Sequence, residues 1–115
     1  MRLLVFDPFH GAAGDMITAA LLHLGADRNA VISAMASVVG EPEVTLVDRS
    51  GIKALSIRTR AGPATRPFDE VVARVENAHA SKEAITRAIR VFERIDRAER
   101  EIHGGTAHFH EVGAD

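Results

Sequence analysis

Residues able to do chemistry collect at three places along this chain. The first is DPFHGAAGD, Asp7 to Asp15, where two carboxylates, one histidine and two glycines occupy what should be a simple connection. The second is Glu99 with His103, four residues apart and therefore neighbours on one face of a helix. The third is HGGTAHFHEVGAD, the final thirteen residues, which hold three of the six histidines (His103, His108 and His110) together with Glu111 and Asp115.

Imidazole and carboxylate without thiolate suit nickel, zinc, manganese or iron, and the ligand types alone do not choose among them. In a strand, His108 and His110 point to the same face. Asp7 and His10 would add a second wall if the first apolar run ended beside that segment. The opening loop has a chemistry of its own. A glycine-bearing loop leading into a helix presents backbone N–H groups at the positive end of the helix dipole. Gly11 and Gly14 permit a tight turn and close approach of a ligand. The pattern is neither a Walker loop nor a dinucleotide fingerprint. In the alternative reading Asp15 caps the helix and the glycines only make the turn. For Glu99 and His103 the alternative is a helix end that has left the core. His23 and His79 lack such company and read as structural or exposed.

The elements that must position these residues follow from periodicity. Residues 2–6, RLLVF, read as a short buried strand. Met16 to Leu24 is apolar nearly all round and reads as a buried helix stopped by Gly25. Asp27 is placed to cap a second helix ending near Gly40. The runs EVTLVD and IKALSIRTR flank Ser50-Gly51, a hairpin signal. Pro67 suits the first turn of an amphipathic helix marked by Phe68, Val71, Val72 and Val75. Ser81 can cap a final helix of about 23 residues. On that helix Ile85, Ala88, Ile89, Phe92 and Ile95 form one stripe, which continues into Asp96, Glu99 and His103. Residues 107–112 read as a last strand. The expected fold is a single small α+β domain, 1–115, in the order β-α-α-β-β-α-α-β. It would have a mixed sheet of three to four strands with helices packed on it.

Composition narrows the classes. The chain has 115 residues, 46% of them hydrophobic, and a net charge of −2 from 14 basic and 16 acidic groups. That suits one globular domain burying roughly two-thirds of its unfolded surface, and it demands neither nucleic acid nor a membrane as partner. The basic run Arg49, Lys53, Arg58, Arg60 and Arg66 guards a hairpin edge or meets a phosphate. Cysteine is absent, which removes disulfides and thiolate metal sites and fits a reducing, cytoplasmic setting. No stretch approaches the ~20 apolar residues of a membrane span.

With these segments in view, the sequence resembles the N-terminal region of the LarC family, the nickel-insertion proteins of nickel-pincer cofactor biosynthesis. The resemblance rests on DPFHGAAGDM and the following AALLHLGAD, on RSGIKA at 49–54, RAEREIHG at 97–104 and HFHEVGAD at 108–115. His10 and Asp96 depart from the residues usual in that pattern. The resemblance implies insertion of nickel, as substrate metal, into a pyridinium-3,5-bisthiocarboxylate mononucleotide. CTP hydrolysis would accompany it, with manganese or magnesium as helper ion. It also implies that a nucleotide site and a further C-terminal region of the same protein lie outside this chain, so that these residues fold without completing the lyase-class reaction.

Three function classes are carried forward. In the first, the chain is an enzyme domain with Glu99, Glu111 and Asp15 as catalytic candidates. His10, Gly11 and Gly14 would then contact the precursor, and His103, His108, His110, Asp7 and Asp115 the metal. In the second it is a metal- or mononucleotide-binding module without catalysis of its own. In the third it is a structural or interaction domain, a homo-oligomer among its possible forms.

Overall fold

The computed structural model describes residues 1–60 and 66–104. Its elements are α1 (Gly14–Leu24), α2 (Arg28–Val39), β1 (Glu43–Arg49), β2 (Ile52–Arg58), α3 (Phe68–Glu76) and α4 (Lys82–His103). The class is α+β, as the sequence predicts. The described residues form two compact units. One joins Met1–Asp27 to Glu43–Arg58; the other joins Arg28–Pro42 to the described residues from Thr59 onward.

In the first unit β1 and β2 form an antiparallel hairpin, the one sheet among the described residues. Ser50 and Gly51 sit at its tip with φ of 55° and 85°. Two successive positive φ values match a two-residue turn whose twist suits the flanking strands. The Gly51 N–H donates to Asp48 Oδ1 at 2.8 Å, fastening the turn. The register pairs Val44 with Ile57, Leu46 with Leu55 and Asp48 with Lys53. Directly opposed residues share a face, so these six lie on the face that holds the buried Ile57. Helix α1 packs against β2. It ends as its glycine predicts: Gly25 is left-handed at φ 108°, and the Ala26 and Gly25 N–H groups donate to Leu21 and Leu22 carbonyls, the Schellman arrangement.

The second unit holds the larger core. Val71 and Val75 of α3 are buried and pack against Phe68, Ile85, Ala88, Ile89, Phe92, Ile95 and Val38. Burying each such valine is worth about 1.5–3 kcal/mol. The apolar stripe read from the sequence of α4 is the face that makes this contact. The helix starts at its predicted cap, where Ser81 Oγ accepts from Ala84 N–H at 3.2 Å, and stops at left-handed Gly104. The connection before it is tied to α2 by the His79 N–H, which donates to Ser37 Oγ at 2.9 Å.

Two expectations about the sheet differ from this picture. Residues 2–6 form no strand: they have no ladder partner among the described residues, and Leu3, Val5 and Phe6 are exposed. An apolar run becomes a strand only when another strand takes up its N–H and C=O groups. The sheet is accordingly two-stranded, and the described order is α-α-β-β-α-α. The predicted strand at 107–112 lies outside the described residues. No helix among the described residues is long and apolar enough to cross a membrane.

Candidate functional site

The last two turns of α4 gather the polar chemistry of the second unit. The hydrophobic stripe carries on past Ile95, but its side chains change character. Asp96 is mostly covered, its side chain 14% exposed. Asp96 Oδ2 accepts from Arg100 Nε at 2.8 Å, while Oδ1 is buried and has no hydrogen-bond partner among the described residues. One turn later Glu99 is 6% exposed, the one buried charged residue among those described. Its Oε2 lies 3.5 Å from His103 Nε2, and the His103 side chain is 56% exposed. The expectation of a helix end that has left the core therefore fails at Glu99 and holds at His103. A buried carboxylate is costly unless partnered, and this one faces an imidazole that reaches solvent. The pair is an oxygen and a nitrogen donor on one helix face, half of what a metal ion needs.

The rest of the expected set is not completed by the described residues, among which no group of three His, Asp or Glu side chains is placed to hold a metal ion. His108, His110, Glu111 and Asp115 lie outside the described residues.

Asp7, His10, Gly11, Gly14 and Asp15 all belong to the first unit. Gly11 turns the loop at φ 88°, with its N–H donating to the Pro8 carbonyl at 2.9 Å. Asp7 and Gly11 line a cavity of about 150 Å³ with Phe6, Ala12, Met16 and Ile17. His10 meets the edge of the Phe9 ring, centroids 4.9 Å apart. Asp15 is not the helix cap. The cap position falls to Ala13, whose side chain cannot accept a hydrogen bond, and α1 begins at Gly14. Asp15 sits inside the first turn, its Oδ1 accepting from Met16 N–H at 2.8 Å, where a carboxylate still favours the positive end of the dipole.

On the hairpin the basic run is divided between the two faces. Lys53 lies on the hairpin face that holds Ile57, opposite Asp48; Arg49 and Arg58 lie on the other face, with Glu43 opposite Arg58. Arg66 Nε is 3.3 Å from Glu70 Oε1. Alternation along each strand splits the charges that the sequence lists together.

A feature that motif reading passed over is a groove of about 510 Å³ between α1 and β2. It is lined by Met16, Ala20, His23, Leu24 and residues 52–55. The signal for it was the apolar character of α1 nearly all round, which one hairpin cannot cover.

A helix packed on a hairpin in one unit and helices packed on each other in the second define a small α+β protein. Residues 4–115 match the family model described as nickel insertion protein, and the chain belongs to that family. It is 40% identical, over 122 aligned residues, to a protein of Methanococcoides burtonii that carries the nickel insertion name, covering 100% of this chain and 31% of that protein. A namesake in Methanosarcina acetivorans is 38% identical, covering 98% of this chain and 30% of that protein. One in Geotalea uraniireducens is 36% identical, with 98% and 32% covered. The chain thus spans about a third of the length of the curated relatives it matches. No solved structure matches it.

Proposed function

We propose that this chain is the N-terminal, nickel-handling part of a CTP-dependent nickel insertion enzyme. The enzyme's substrate is a pyridinium-3,5-bisthiocarboxylate mononucleotide, the precursor of the nickel-pincer cofactor. The observation that carries the reading is the buried Glu99 carboxylate 3.5 Å from His103, directly before the His108-Phe109-His110-Glu111 stretch, in a member of the nickel insertion family. His103, His108 and His110 would receive nickel. A nitrogen and oxygen set holds the ion loosely enough for the softer sulfurs of the precursor to take it. Formation of the carbon–nickel bond releases a ring proton, and Glu99 or Glu111 accepts it. His10, Gly11 and Gly14 are the candidates for contacting the precursor.

The relatives' greater length supports a division of labour. CTP, with manganese or magnesium, belongs to the polypeptide beyond this chain, and the 115 residues bind without turning over. The protein would work in the cytoplasm.

Calorimetric titration with nickel and with manganese tests this. The expected result is a defined nickel-binding event lost in His103→Ala and in His108→Ala/His110→Ala. Unchanged binding in both variants would overturn the site. CTP-dependent nickel insertion by the 115 residues alone would overturn the division of labour.

A further inference from the structure

Asp96 stands on the stripe of α4 one turn beyond Phe92 and one turn before Arg100. Its side chain is 14% exposed, and Oδ1 is buried with no hydrogen-bond partner among the described residues. A carboxylate so placed is desolvated at a cost, and an apolar side chain would fill the position without it. Its hydrogen bond among the described residues is to Arg100, whose Nε donates to Oδ2 at 2.8 Å. Further back on the same helix Glu83 and Arg87 also pair four residues apart, but both are mostly exposed, and such a solvated contact is worth little. At Asp96 the carboxylate is covered and the guanidinium is not, for the Arg100 side chain is 54% exposed. A partly buried contact is screened less by salt. Arg100 is thus held through Nε, and its two Nη nitrogens are the part left to meet a ligand. Arg100 and His103 are three residues apart and neighbours on the helix surface, so the held guanidinium stands beside the imidazole assigned to nickel.

We infer that Arg100, set in place by Asp96, binds an oxyanion of the substrate while His103 holds the nickel. The inference rests on the proposed function, which brings to this helix face a precursor bearing a phosphate and two thiocarboxylates. Both kinds of group accept hydrogen bonds from a guanidinium, and the Nη1–Nη2 end donates to them with a charge behind it. Electrostatics set an order. The C-terminal end of a helix disfavours anions, Asp96 already offsets the charge of Arg100, and Glu99 lies beside His103. The anion therefore needs the added charge of the nickel ion, so nickel binds first and the substrate second. Asp96 is a positioning residue, and Arg100 is the residue that selects an anionic substrate. All four residues belong to α4, so their spacing follows from one helix.

Calorimetric titration of the 115-residue chain with nicotinate mononucleotide, with and without nickel, tests this. That probe has a pyridinium ring, a carboxylate and a phosphate but no sulfur to strip the metal. Nickel is expected to tighten its binding. Arg100→Gln and Arg100→Lys should each weaken probe binding to the nickel-loaded chain at least about tenfold and leave nickel affinity unchanged, since lysine keeps the charge without the fork. Asp96→Ala should weaken probe binding severalfold, and Asp96→Asn should restore most of it, because the amide oxygen still accepts from Nε. Nicotinamide mononucleotide keeps the phosphate and lacks the carboxylate, and nicotinate riboside does the reverse; the one that loses affinity on Arg100→Gln carries the group that Arg100 holds. Equal probe binding by Arg100→Gln and the parent would overturn the inference, as would no probe binding by the parent with or without nickel. Loss of nickel and probe together in Arg100→Gln would make Arg100 a structural residue and overturn it as well. A parent that binds the probe through Arg100 but binds no nickel would uphold the oxyanion site and overturn the metal reading instead.

Discussion

Glu99 and His103 stand one turn apart on α4, carboxylate to imidazole 3.5 Å, the first almost wholly buried and the second more than half exposed. Packing alone does not favour that order, because the stripe that precedes it is Ile85, Ala88, Ile89, Phe92 and Ile95. An apolar residue at position 99 would extend the core without leaving a carboxylate to desolvate. Glu99→Leu is therefore expected to leave folding stability unchanged or to raise it by about 1 kcal/mol, while weakening nickel binding. Urea unfolding and nickel titration of the same variant check both halves. A loss above about 2 kcal/mol would make Glu99 a structural residue.

His103 gives the complementary case. Its side chain is exposed at the helix C-terminal end, where removing an imidazole costs about 0.5 kcal/mol or less. His103→Ala should keep its thermal midpoint within a few degrees of the parent and bind nickel at least about tenfold more weakly. A variant that unfolds and a variant that binds nickel normally would each contradict the assigned role.

Helices α1, α3 and α4 were legible because they carry local signals. Ser81 caps α4, Gly25 ends α1, and the spacing of Phe68, Val71 and Val75 marks the buried side of α3. Such signals act within a few residues and need no distant partner. The strand expected at residues 2–6 failed for the opposite reason. Apolar residues in a row state a need for burial but not which ladder supplies it, and none of the described residues does. Asp15 was misplaced by two positions, since a carboxylate suits both the cap and the first turn of a helix. At the candidate site the i, i+4 pair of Glu99 and His103 could be read directly. The depth of Glu99 could not, because burial depends on what packs around the helix end.

The hairpin tip offers a test of the fold independent of the site. Ser50 and Gly51 both lie at positive φ, and L residues with a Cβ resist that region. Gly51→Ala is expected to cost about 1–2 kcal/mol, while Ser50→Asn should gain a few tenths of a kcal/mol, because asparagine tolerates the left-handed region better. Chemical denaturation of the two variants should move in opposite directions. Movement of both in the same direction would show that the turn does not hold this conformation in solution.

The two glycines of the opening loop separate structural need from ligand access. Gly11 has φ 88°, so a side chain there strains the turn although space is open around it. Gly11→Ala should cost about 1 kcal/mol. Gly14 opens α1 without a positive φ, and a Cβ built on it meets nothing within 4 Å. In a helix, alanine is favoured over glycine by up to about 1 kcal/mol. Gly14→Ala should therefore stabilise the chain slightly, and the fold itself supplies no reason for glycine at that position. If the loop contacts the precursor, the same substitution should reduce precursor binding in the full-length protein while the melting temperature holds or rises. Unimpaired binding with a raised melting temperature would remove Gly14 from the binding loop.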